Sequence, residues 1–161
     1  MQKTSIVVQE IVNQIDLPRL NSSSGIRANN DIEAIKTWLA EFTASPNTFI
    51  SYRQCAERFI MWTLEQNLTL GGIKREDIQS YQTFLGNPVP HELWCGPAVS
   101  RKNPTWKPFV KGLSPSSIKL NLQILTTMYE YLLQSGYLTI NPFGLIKRKP
   151  ARLETSKANI E

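Results

Sequence analysis

The chain has 161 residues, 41% of them hydrophobic, a net charge of +5 and two cysteines. That length and composition suit one globular domain with a sizeable core, and no apolar run approaches the ~18 residues of a membrane-spanning helix. Cys55 and Cys95 have neither metal-site nor redox-motif spacing; Cys55 reads as a small buried hydrophobe, and Cys95 as a loop thiol open to reaction.

Residues 1–29 read as an N-terminal arm. Ile6-Val7-Val8 suits either a short strand or a helical turn, and Leu17 to Gly25 has linker composition. Gln9 and Glu10 break the apolar patch, so the arm does not read as a signal peptide, and a cytoplasmic protein is expected.

A first helix is expected from Asp31 to Thr43, capped by Asn30 or Asp31, with Ile32, Ile35, Leu39 and Phe42 on one face. A second opens at Ser45-Pro46, a cap followed by a proline whose missing N–H costs nothing at the first helical position. Phe49, Tyr52, Ala56, Phe59 and Thr63 share its apolar sector, and Arg53, Gln54, Glu57, Arg58 and Met61 fall on the far face. Ile50 lies among those polar residues, either as a scattered surface hydrophobe or as a contact to a thymine methyl. A third helix spans Arg75 to Leu85, with Ile78, Tyr81 and Leu85 inward and Glu76 and Asp77 in the first turn, where they complement the helix dipole.

Residues 86–112 break the helical pattern with five prolines, two tryptophans and four basic residues. Trp94, Trp106 and Phe109 gain by burial, which argues against plain disorder. The segment reads either as a flap that grips a phosphate backbone with Arg101, Lys102, Lys107 and Lys111, or as an insertion packed on the domain edge.

The last helix carries both of its boundary signals. Ser114 can cap it, Pro115 stands at its first position, and Gly136 suits a left-handed C-terminal cap with Tyr137-Leu138 folding back. Ile118, Leu122, Leu125, Tyr129 and Leu132 form one apolar stripe. Ser116, Lys119, Gln123, Thr126, Thr127 and Glu130 lie opposite, and a recognition helix presents its N-terminal end to DNA. Residues 101–152 hold nine Lys/Arg and a single acid, Glu130. That excess is either a phosphate-binding footprint or a solvated basic face.

Leu113-Ser114, the Ser117-Ile118-Lys119 run, Gly136 and Asn141-Pro142 resemble the last helix of the core-binding domain of tyrosine recombinases, the phage-integrase family. Thr48, Tyr52, Phe59 and Trp62 resemble that family's second helix, and Ile73 through Leu85 its third. The resemblance covers roughly residues 30–149 and implies an all-α fold, a compact SAM-like bundle of four main helices. In that scheme 86–112 is a long insertion between helices three and four, and 150–161 a linker toward a catalytic domain.

The family reaction that the resemblance implies is attack of a tyrosine on a DNA phosphate, with arginines, a lysine and histidine-type groups stabilising the phosphorane, and no metal or cofactor. Nothing in this chain matches those groups: His91 is the single histidine, and there is no Arg-x-x-Arg or His-x-x-Arg box. The chain is therefore expected to be the DNA-binding part of a recombinase and not an enzyme by itself. The expected partners are double-stranded DNA, the catalytic domain of the same recombinase and other protomers of a synaptic complex, with no membrane contact.

Carried over by position, the resemblance implies DNA contacts from Thr48, Ser51, Gln54 and Arg58 on the second helix, and from Ser116, Ser117, Lys119, Asn121 and Gln123 on the fourth. Arg101 and Lys102 of the possible flap and Lys147 and Arg148 of the basic linker join them. Gln54 and Gln123 have the chemistry to read adenine edges. Leu120 departs from the pattern, standing where many relatives carry a second base. Thr48 can instead complete a helical turn, and Asn121 can instead bond within the core. The competing reading is a helical protein-interaction module that partners or inhibits an integrase.

Overall fold

The structure, a computed structural model, describes residues 24–144; the arm to residue 23 and the tail from residue 145, with Lys147 and Arg148, lie outside the described residues. Asn30 opens helix α1, Asp31–Leu39, by accepting the Glu33 N–H on its side chain at 2.9 Å. Of the two candidate caps it is Asn30 that closes the turn, which leaves the Asp31 carboxylate for longer-range contacts. It accepts from the Leu70 N–H at 2.9 Å and from the Tyr137 hydroxyl at 2.6 Å.

The α-helix ends four residues earlier than its apolar spacing predicts and tightens into a 3-10 turn, Ala40–Phe42. Trp38 explains the change of face. It stacks on Tyr52 with ring centroids 5.2 Å apart and planes 7° apart, and Phe42 meets the same Tyr52 edge-on. Trp38 and Ala34 are thereby buried, while Ile32 and Phe42 stay half-buried.

Helix α2, Pro46–Glu65, has proline in its first turn as expected, but the Ser45 side chain makes no capping bond. Its buried face carries Ala56, Phe59 and Thr63. Helix α3, Arg75–Gly86, buries Ile78, Tyr81, Phe84 and Leu85, and the Asp77 carboxylate reaches back to accept the Lys74 N–H at 2.8 Å. A one-turn helix, α4, covers His91–Trp94.

Helix α5, Pro115–Gln134, is bounded by the residues its sequence singles out. Ser114 Oγ accepts from the Ser117 N–H. At the other end Gly136 has φ of 81°, its N–H donates to Leu133 O, and the Tyr137 N–H donates to Leu132 O. This is the paired bonding of a Schellman motif, and Tyr137 and Leu138 fold into the core behind it. Helix α5 packs against α1, α2 and α3.

The described residues are mostly helical with no strand, which makes the fold all-α. The core is rich in rings: Phe59 meets Tyr81 edge-on at 5.0 Å, and Phe84 meets Trp94 at 4.9 Å. Burying such side chains contributes roughly 1.5–3 kcal/mol each. No helix among the described residues is long and apolar enough to cross a membrane.

Residues 86–112 contribute Trp94 and Phe109 to the hydrophobic core. Trp94 and Phe109 are 3% and 1% exposed, and an isolated parallel bridge joins Cys95 to Phe109. The segment is pinched shut at its base, where the Leu113 N–H donates to Leu85 O at 2.8 Å. A side chain on Gly112 would overlap the Gly86 carbonyl, so this close approach requires glycine.

Candidate nucleic-acid interface

The N-terminal half of α2 runs beside α5, and an open cleft of about 510 Å³ lies between them. Helix α2 lines it with Asn47, Thr48, Ser51 and Tyr52, and α5 with Leu120, Gln123, Ile124 and Thr127. Both helices begin with proline. The cleft brings together three residues named from sequence, Thr48, Ser51 and Gln123, which lie on different helices.

A second hollow of about 410 Å³ lies on the other side of α5, lined by Ile78 and Gln82 of α3, by Phe143, and by α5 residues that include Pro115, Ile118, Lys119 and Leu122. Gln123 borders both hollows. Lys119 is exposed there, and Gln54 is exposed on α2. Ser116 and Ser117 are tied into the capping cluster: Ser114 Oγ lies 3.3 Å from Ser116 Oγ and donates to Ser117 Oγ at 3.1 Å.

Two expected contacts lie inside the protein. Arg58 is 9% exposed, and its Nε–H donates to Pro108 O at 2.9 Å. Its guanidinium sits over the Phe109 ring at 4.6 Å from the centroid. Burial lowers its pKa, opposed by the charges available to Tyr81 and Cys55. The helical position places Arg58 on the far face of α2, but Pro108 and Phe109 cover it there. Asn121 is also buried, its Nδ2 donating to Ser117 O at 2.8 Å. Thr126, expected on the polar face, is buried as well and donates to Leu122 O at 2.8 Å.

Arg101 binds Glu57 of α2 through two nitrogens and lies 5.8 Å from the Trp106 ring centroid. Its hydrogen bond to the accepting Glu57 carboxylate raises its pKa, so its charge is already partnered. Lys107 donates from Nζ to Glu92 O at 2.9 Å. Lys102 and Lys111 are exposed.

Asn47 and Thr127 also line the cleft, although neither is among the DNA contacts that the resemblance implies. Both are signalled by spacing: Asn47 and Ser51 are one turn apart, and Leu120, Gln123 and Thr127 follow at 3 and 4. Among the described residues no cluster of His, Cys, Asp and Glu can hold a metal ion. The exposed His91 has Nε2 2.7 Å from Asn87 Oδ1.

Comparison of the chain with protein-family models, with curated proteins and with solved structures finds no match.

Proposed function

We propose that this chain binds double-stranded DNA as the core-binding part of a tyrosine recombinase, with α2 and α5 as the two helices that face a recombination half-site. On this reading the four longer helices form the SAM-like bundle, and residues 86–112 are an insertion between its third and fourth members. Strand cleavage belongs to a catalytic domain of the same recombinase, and further protomers complete a synaptic complex. The chain itself performs no chemistry.

The observation that carries this reading is the cleft in which Thr48, Ser51 and Gln123 meet from two side-by-side helices. Hydroxyls and amides at that position suit phosphate and base-edge contacts. The exposed Lys119 on the flank of α5 and the exposed Lys102 supply cations of the kind that neutralise phosphates. A second reading, a module that partners or inhibits an integrase, draws on the hollow lined by Ile118, Leu122 and Phe143.

The two readings separate on one variant pair. Thr48→Glu with Ser51→Glu places two carboxylates in the cleft, where they would repel a phosphodiester backbone. Duplex affinity is expected to collapse while the melting temperature holds. Unchanged duplex affinity would remove the cleft from the interface, and absence of duplex affinity in the unaltered chain would favour the protein-interaction module.

A further inference from the structure

We infer that the cleft between α2 and α5 reads adenine–thymine base pairs, with Asn47 and Gln123 as the adenine readers and Leu120 as a contact for the thymine methyl. The inference deepens the DNA-binding reading above and rests on it.

The chemistry of the lining decides it. None of the residues that line the cleft is an arginine, lysine, aspartate or glutamate. Guanine is read in the major groove by a cation that donates twice to O6 and N7, and cytosine by a carboxylate that accepts from N4. The cleft has neither. It has two carboxamides, and a carboxamide matches adenine on both counts, accepting from N6–H and donating to N7. No hydrogen bond within the described residues occupies the side-chain amide of Asn47 or of Gln123, so both remain available.

The exposed apolar residue of the lining points the same way. Leu120 is 54% exposed although it lines the cleft. The C5 methyl of thymine is the apolar feature that a base pair offers in the major groove. Thr48, Ser51 and Thr127 add hydroxyls that accept either partner of a pair. Lys119 lines the neighbouring hollow, which shares Gln123 with the cleft, and so stands one step away from the base-reading surface. A phosphate contact belongs at such a flanking position.

Selection of the full chain against a pool of randomised duplexes tests this. The expected winners share adenine–thymine steps. Asn47→Ala and Gln123→Ala should each lose about 5- to 150-fold of the preference at one position, the discrimination of a single bidentate contact. Lys119→Ala should weaken all sequences alike. Gln123→Glu supplies a gain-of-function check, because its carboxylate should move one selected position toward cytosine. Guanine–cytosine winners, or tight binding with no preference, would overturn the inference and leave the DNA-binding reading standing. Recovery of no duplex even at low salt would overturn both.

Discussion

Arg58 and Pro108 are joined by a hydrogen bond of 2.9 Å between the guanidinium Nε–H and the backbone carbonyl, fifty positions apart in sequence. That bond and the stacking of the same guanidinium on Phe109 fasten residues 86–112 to α2. The buried cation is thus committed to holding the fold. Arg58→Ala is expected to cost about 3.5–5 kcal/mol, the sum of a desolvated cation–π contact and a charged hydrogen bond. Urea denaturation measures it, and a loss below the error of that measurement would mean that the segment is held by other contacts.

The glycine pair at the base of the same segment gives an asymmetric expectation. Gly112→Ala drives a methyl into the Gly86 carbonyl and should cost on the order of 1–3 kcal/mol, because backbone must shift. A methyl on Gly86 meets only the Ile118 side chain, at 3.6 Å, an ordinary contact. Thermal melts of the two variants should therefore differ clearly, with Gly112→Ala much the lower.

Along α5 the cost of truncation should follow burial. Leu125 is fully buried, so Leu125→Ala should lose roughly 2–5 kcal/mol. Leu122 belongs to the same sequence stripe but lines the open hollow and is half-buried. Leu122→Ala should lose less than half as much. Equal losses in calorimetry would mean that the hollow is closed in solution.

Alkaline pH should destabilise the domain through its buried acids. Burial pushes the Cys55 thiol from 9.0 up to about 11, against a smaller opposing effect of Arg58. Below pH 9 both folded and unfolded chains keep this proton. Between those two values the unfolded chain releases it and the folded chain does not, so stability falls as pH rises. The buried phenols of Tyr81 and Tyr129, raised chiefly by burial, act in the same direction. Cys55→Ala should flatten the stability profile across this window in urea titrations, and an unaltered profile would show that the thiol is not the group responsible.

The parts of this fold that were legible in the sequence are those set by neighbours along the chain. Ser114, Pro115 and Gly136 bound α5 because capping and left-handed turns are local chemistry. The same logic overstated Ser45, which occupies a capping position without making the bond. Arg58 was misplaced because its burial depends on Pro108 and Phe109, whose approach to α2 no periodicity announces. Trp38 turned the first helix off its expected face for a similar reason, since its partner Tyr52 lies on another helix. In the cleft, Thr48, Ser51 and Gln123 followed from the family resemblance carried over by position, whereas Asn47 required the pairing of two helices to become visible.

The most direct test of DNA binding is fluorescence anisotropy of this chain with a labelled duplex, titrated across a salt series. The account predicts measurable affinity that falls steeply as salt rises, because bound phosphates release counterions. Lys119→Ala should flatten the logarithmic slope by about one unit, the signature of one lost phosphate contact. Absence of binding at low salt, or affinity indifferent to salt and to Lys119, would contradict it.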